Sequence, residues 1–446
     1  MSDAVIAAVA PDIRRATVRK VSWRLLPFLF VLYIASFLDR TNLGIASLQM
    51  NGELALSATA YAFGAGVFYF GYALFEVPSN LILARVGARV WIARIAITWG
   101  IAASAMMFVR GTASFYALRF VLGLAEAGFF PGIIWYLGRW YPERERARAL
   151  AWFMIGIPLA GAIGGPAGGA LLSMSGRLGL AGWQWLFLME GLPPIVLGVV
   201  ALRFLTDAPE DAEWLTRDER EWLAGEMRRE REAGAAAGRA DVKRALLSGA
   251  TWWLAVLYLF ALSAELGPIF FGPILVRDAL ALGDSGIGLV MGAIGIAGVA
   301  GMLANGWRSD RTGERFVHGA VPLTAVAAGF AMIAMGGTPA WTIGGLVVVS
   351  VAINAFLPAF WCVPSAMFTG TAAAAAIALI NSIGNLGGYL GPMLLGKAKE
   401  ATGSYATGML ILGGLSLAAA AMTMLLRERR KAESRKLPDT MRDLRG

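Results

Sequence analysis

The chain has 446 residues, of which 57% are hydrophobic and 15% charged, with a mean hydropathy of +0.62 and a formal charge of +9. A soluble globular domain carries about 45–50% apolar and about 25% charged residues, so a cytosolic enzyme, a disordered tail and a secreted disulfide scaffold are excluded. One cysteine, Cys362, cannot form an intramolecular disulfide, and one histidine, His318, cannot build a histidine-rich metal site, which leaves a polytopic membrane protein with no expected metal, haem or iron–sulfur cofactor.

A helix needs about 20 apolar residues to cross a ~30 Å hydrocarbon core, and in lipid its backbone groups must pair within the helix. Twelve stretches qualify: 25–47, 58–84, 90–109, 113–138, 149–174, 183–205, 250–276, 285–305, 318–337, 341–365, 372–396 and 404–426. We number them spans 1 to 12 and read an all-α membrane protein of two six-helix halves. A leader, 1–24, carries Arg14, Arg15, Arg19, Lys20 and Arg24 ahead of span 1, which is too long for a cleaved signal segment and reads as a retained anchor. The first half covers 25–205, a polar central loop 206–249, the second half 250–426, and a tail 427–446.

The loop contains eleven acids, and Thr216-Arg217-Asp218-Glu219 matches a capping box ahead of Trp222, Leu223 and Met227. One or two short helices at the cytoplasmic surface fit there. Beyond Gly234 a solvated linker fits as well. With the N-terminus inside, the cytoplasmic segments, counted with Arg94 and Arg203 at the cytoplasmic ends of spans 3 and 6, hold 32 of the 39 Lys and Arg. The outer loops hold five (Arg110, Arg177, Arg277, Lys397 and Lys399), and Arg40 and Arg119 lie inside spans. That asymmetry puts both termini in the cytoplasm and accounts for the positive charge without a nucleic-acid partner. The partner the charge implies is a lipid bilayer. The 55 glycines suit close helix packing within it.

The two halves carry matched loops. After span 8 stands Gly306-Trp-Arg308-Ser-Asp310-Arg311-Thr-Gly313-Glu-Arg315, and after span 2 Asn80-Leu-Ile-Leu-Ala84-Arg85-Val-Gly87-Ala-Arg89. Both hold Arg-x-Gly-x-Arg, a spacing that supplies a glycine for the turn and charges for the helix ends. With twelve spans and a central loop, this pattern resembles the major facilitator superfamily, in which these loops gate the cycle. The expected gating residues are Gly306, Asp310, Arg311, Gly313 and Arg315, with Arg85, Gly87 and Arg89 in the first copy. The first copy departs from the family pattern at Asn80 and Ala84. Gly161 to Gly169 in span 5 is similar to the superfamily's Gly-Pro helix motif, one residue short between Pro166 and the Gly168-Gly169 pair.

Four further strings resemble the anion:cation symporter branch, which takes up sugar acids, tartrate, phthalate and aromatic acids in bacteria. They are Phe37-Leu-Asp39-Arg40-Thr-Asn42, Gly71-Tyr72-Ala-Leu-Phe-Glu76-Val-Pro78-Ser-Asn80, Arg119 through Gly123 and Glu126 to Gly132, and Asn381-Ser-Ile-Gly384-Asn385. The resemblance implies proton-coupling acids at Asp39 and Glu126 and anion-contacting arginines at Arg40 and Arg119. Tyr72 and Asn385 match substrate-contacting positions; Asn381, one turn from Asn385, joins them, with Trp361 as a further candidate that also reads as a packing aromatic. It further implies a bacterial inner-membrane protein that works as a monomer, with protons as coupling ion and no other cofactor.

An ionisable group inside a span costs several kcal/mol unless it is paired or wetted. Asp39, Arg40, Glu76, Arg119, Glu126, Glu190 and Glu265 are such groups. Guanidinium stays charged and grips carboxylate, while a carboxyl in low dielectric takes up a proton more readily than one in water. Asp39 and Arg40, about 100° apart on a helix, need not pair with each other. Arg119 and Glu126, seven apart, share a face and would suit either a substrate path or a static pair. Glu76 reads as structural or gating and Glu190 as structural. Glu265 has no counterpart in the branch and is the candidate for substrate selectivity. The chain thus reads as an importer of a small organic anion by proton symport with alternating access, or as an exchanger or uniporter without proton coupling. No His–His–Glu run, cysteine pair or Ser–His–Asp arrangement supports an enzyme, and the polar loop is too small for a signalling domain.

Overall fold

A computed structural model describes residues 3–235, 239–367 and 370–435, which are helices and turns with no strand among them. The far end of the tail lies outside these residues, as does the centre of the stretch beyond Gly234. Ten helical stretches among the described residues are long and apolar enough to cross a membrane, the two helices of span 4 counted as one. Spans 5 and 11 complete the twelve, but each is divided in two, at Ile155 and at Leu386, so neither half is long enough alone.

The leader is not a separate segment. It is the start of the span 1 helix, Asp3–Glu53. Thr17, Val21, Leu25, Leu29 and Leu32 are all buried, a spacing of three and four that lays one stripe of the helix against its neighbours across the expected boundary at residue 24. The central loop is likewise built in. Thr216 and Glu219 close the capping box from both sides, Glu219 N donating to Thr216 Oγ1 at 3.4 Å and Thr216 N to Glu219 Oε2 at 2.9 Å. The helix that follows, Arg217–Ala235, buries Leu223 and Met227. Lys20 reaches Glu219 at 2.7 Å, and Arg146 reaches Glu230 at the same distance. Burial pushes the Glu219 carboxyl up, but the bonds from Lys20 and Thr216 outweigh it and hold the group below the usual carboxylate range. Arg24 lies over the rings of Phe204 and Trp214, and Trp214 stacks on Trp140 at 5.4 Å. The loop is docked by aromatic and ionic contacts where a tethered linker would have none.

Two compact units emerge: Met1–Leu56 with Phe63–Arg239 and Leu282–Gly292, and Ser57–Ala62 with Ala240–Ala281 and Ala293–Gly446. The first turn of span 2 therefore belongs to the second unit, and the first turns of span 8 to the first. Within the first unit, helix pairs approach through glycines. A Cβ on Gly123 of span 4 would overlap the Phe68 carbonyl of span 2, and one on Gly71 would overlap that of Phe120. Within the second, span 11 meets span 7 the same way: Gly387 lies against Leu259 and Ser263, Gly391 against Ser263, and Gly384 against the Tyr258 ring. A residue without a Cβ is what lets two helices approach this closely in lipid.

Span 4 holds the feature that positions the site. Hydropathy runs through it unbroken, yet it is two helices, Thr112–Glu126 and Phe129–Trp140. Ala127 turns to ψ 134° and Gly128 takes φ +84°, a left-handed conformation that suits glycine. Pro131 then falls in the first turn of the second helix, where its missing N–H costs no intrahelical bond. Glu126 is the last residue before this break.

Candidate functional site

In the first unit, span 1 aims its charged pair in two directions. Arg40 reaches across to span 4, its Nε and Nη2 donating to Oε1 of Glu126 at 3.0 and 2.7 Å. Ser36, one turn earlier on span 1, donates to the same oxygen at 2.8 Å. Glu126 is fully buried, and its second oxygen, Oε2, has no hydrogen-bond partner. The guanidinium is ringed by Phe37, Phe68 and Tyr72 at 5.2–5.7 Å, within cation–π range. Tyr72 is itself buried.

Asp39, turned away from Arg40, accepts from Asn42 Nδ2 and from the Trp99 indole of span 3, each at 3.2 Å. Arg119 is 1% exposed and donates to the backbone carbonyls of Gly64 and Ala65 on span 2, with its guanidinium 4.9 Å from the Phe68 ring. These carbonyls lie inside a helix, and each still has a lone pair to offer. Arg119 and Glu126 share a helix face as expected, yet the ion pair on Glu126 comes from Arg40. Asp39, Arg40, Tyr72, Arg119 and Glu126 thus come from spans 1, 2 and 4 of a single unit. Glu76 is buried one turn beyond Tyr72, and Glu190 is buried in span 6.

The second unit holds the remaining candidates. Asn385 is buried and Asn381 half-buried at the end of the first span 11 helix, Gly370–Asn385. Trp361 is half-buried and packs edge-on against Tyr258 at 5.0 Å, while Tyr258 stacks on Phe360 at 4.9 Å. Tyr258 of span 7 therefore joins this aromatic group, and its sequence context gave no sign of it. Glu265 is half-buried in the helix Gly249–Leu280.

The two loop motifs behave differently. In the second copy, Arg315 pairs with Asp310 at 2.6 Å and also donates to Ser309 Oγ at 2.9 Å. Gly313 takes φ +67°, Arg311 lies over Trp307, and Gly306 packs loosely at Pro358. His318 joins the same end by a 2.8 Å bond between its Nδ1 and Asn305 Oδ1. In the first copy Ala84 cannot supply an acid, and Arg85 is exposed. Asp207, at the end of span 6, stands in for it: its Oδ1 accepts from Arg89 N at 2.8 Å, and its Oδ2 lies 3.8 Å from the Arg89 guanidinium. Gly87, at φ +99°, leaves room for the Asp207 carboxylate. Asp207 thus caps the N-terminus of span 3, where a negative charge is favoured. Asp207→Ala is expected to cost about 1 kcal/mol, a typical cap loss, seen as a lower thermal midpoint of the purified protein. An unchanged midpoint would remove the capping role.

Sequence spacing missed Ser36, Asn42, Trp99 and Asp207. Ser36 and Asn42 were within reach of it, lying one turn from Arg40 and Asp39 on the same helix. Nothing local marks Trp99 or Asp207. Arg94, grouped by sequence with the cytoplasmic charges, lies inside the span 3 helix over the Trp91 ring at 4.5 Å.

Ten membrane-length helical stretches among the described residues, in two compact units with an arginine and a carboxylate paired inside one of them, define a polytopic membrane protein. The chain belongs to the Major Facilitator Superfamily, which residues 29–392 match. It is 47% identical over 425 residues to a putative tartrate transporter of Agrobacterium vitis, covering 93% of this chain and 95% of that one. It is 40% identical over 406 residues to the putative metabolite transport protein NicT of Pseudomonas putida, covering 90% and 92%. Among solved structures, an inward-facing bacterial homologue of the human lysosomal transporter Spinster has the same fold, with a TM-score of 0.75 at 19% identity over 91% of this chain and 96% of that one.

Proposed function

We propose that the protein imports a tartrate-like hydroxy-diacid into a bacterium across the inner membrane by proton symport with alternating access. The observation that carries this is the Arg40–Glu126 pair: a fixed cation held by one oxygen of a wholly buried carboxylate whose other oxygen is free. A proton arriving at Oε2 neutralises Glu126 and releases the guanidinium to grip a substrate carboxylate, so proton and anion enter together. Arg119 supports a second carboxylate contact and Asp39 a second proton. The names of the tartrate relatives favour a short diacid with hydroxyls over an aromatic one. Tyr72 offers a hydroxyl to such a substrate, and Asn381, Asn385 and Glu265 are the candidates for reading its remaining groups. The loop charges at Arg89, Asp310 and Arg315 fit gating.

The test is uptake of labelled tartrate into proteoliposomes with an imposed inward proton gradient. Wild-type uptake is expected to rise severalfold with the gradient, and Asp39→Asn to lose that dependence. Uptake that ignores the gradient would instead make the protein an exchanger or uniporter. No tartrate uptake under either condition would remove the substrate assignment.

A further inference from the structure

His318 opens span 9 at its cytoplasmic end and takes no part in the mechanism above. It is half-buried in the second unit, beside the C-terminus of the span 8 helix, Asp284–Thr312. The titratable and charged groups of this end come from several elements. Arg308 and Asp310 stand on the last turns of span 8, Glu314 and Arg315 in the turn that follows, Cys362 on span 10 and Arg427 on span 12. Arg315 holds Asp310 at 2.6 Å and Arg427 holds Glu314 at 3.1 Å, so each of these acids already has its cation.

Both ring nitrogens of His318 meet side chains whose other bonds fix what they can offer. Nδ1 lies 2.8 Å from Asn305 Oδ1. The Asn305 amide cannot be turned the other way, because the two hydrogens of its Nδ2 go to the carbonyls of His318 at 2.9 Å and of Ala355 on span 10 at 2.7 Å. Its oxygen faces the ring as an acceptor. Nε2 lies 3.2 Å from Thr312 Oγ1. That hydroxyl has one hydrogen, directed to Arg308 O at 2.9 Å with Ser309 O farther off at 3.4 Å. One lone pair accepts from Glu314 N at 3.4 Å, which leaves the other for Nε2. A neutral imidazole has one donor and one acceptor nitrogen, whereas here the network presents an acceptor to each.

We propose that His318 is a proton-binding site at the cytoplasmic end of the second unit, its ring held as an imidazolium that donates from Nδ1 to Asn305 and from Nε2 to Thr312. A cation also suits the carbonyl end of the span 8 helix. Histidine gains and loses its proton near neutral pH, so the site is set to read the cytoplasm. When the Nε2 proton leaves, Thr312 faces a choice. Its single O–H swings from the Arg308 carbonyl to the ring, or stays and leaves two acceptors opposed. Either way one bond is lost at the turn that carries Asp310. His318 is thereby a positioning residue for the Asp310–Arg315 loop. That link to transport rests on the gating and symport readings, whereas the protons on the ring do not.

The chain has one histidine, so nitrogen NMR of the full-length protein, isotope-labelled at histidine and purified without a histidine tag, reads this ring alone. As pH rises, the wild-type ring should give up one proton and keep the one on Nδ1. Thr312→Val removes the acceptor of Nε2, and its ring should release that proton about one pH unit lower, the worth of a charge-assisted hydrogen bond over a neutral one. A remaining proton on Nε2 in the wild type overturns the proposal and needs no variant. So does release at the same pH in wild type and Thr312→Val. A ring singly protonated even at about pH 5.5, where free histidine is charged, overturns it as well. In proteoliposomes with the proton gradient held constant, wild-type tartrate uptake should change severalfold with internal pH, and His318→Gln should flatten that response. The same response in both overturns the link to gating. Uptake that ignores the gradient would remove the symport reading and leave the ring signals as stated.

Discussion

Arg40→Ala is expected to abolish concentrative uptake and to destabilise the protein by about 3–5 kcal/mol, the usual cost of stripping one partner from a buried ion pair. Glu126 has no exposed surface, and its Oε1 accepts two guanidinium bonds and one from Ser36. Removing the guanidinium leaves two N–H donors fewer and a carboxylate without counter-charge. Replacing both members, Arg40→Ala with Glu126→Gln, should restore most of the stability, because no buried charge is then left alone, while uptake stays lost. Arg40→Lys keeps the charge but not the fork of donors, and should retain more stability than transport. Thermal unfolding and uptake on the same preparations test all three. If the double variant is no more stable than Arg40→Ala, the pair is not what holds spans 1 and 4 together. If Arg40→Ala still concentrates tartrate, Arg40 is not the anion site.

Gly123→Leu should be worse for folding than any charge substitution. A Cβ there already overlaps the Phe68 carbonyl and approaches Tyr72 N at 3.0 Å, both of them span 2 backbone, which cannot rotate away as a side chain can. Spans 2 and 4 would have to separate, and Arg119 would then lose the Gly64 and Ala65 carbonyls that accept its donors. Small residues at such contacts are what allow helices to pack in lipid, where no hydrophobic drive compensates for a gap. The expected result is little or no monodisperse protein after purification. Gly161→Leu, where no atom lies within reach of the added Cβ, should purify normally and serves as the control. Equal yields from the two would mean that the close contact is not needed.

How much of this was legible beforehand follows from the range of each interaction. Hydropathy placed the spans because burial in lipid acts on every residue of a helix in turn. The capping box was legible for a related reason, since both bonds close within four residues. Asp39, Arg40, Arg119 and Glu126 stood out because charge inside a span is rare, whatever its partner. The break at Ala127 and Gly128 was hidden, because apolar residues continue on both sides and one glycine in a membrane helix is common. The leader was read as separate because charge changes at residue 24, although the helix and its buried stripe do not.

Composition and helical period are properties of one strand of chain, so the class of the protein and the charged residues that need explaining can be read from it alone. Which residues pair is set by the packing of helices distant in the chain. Arg40 lies 86 residues from Glu126, Asp39 60 from Trp99, and Arg89 118 from Asp207. Such partners depend on which helix faces lie side by side, and a span's own periodicity says which face is buried without saying against what.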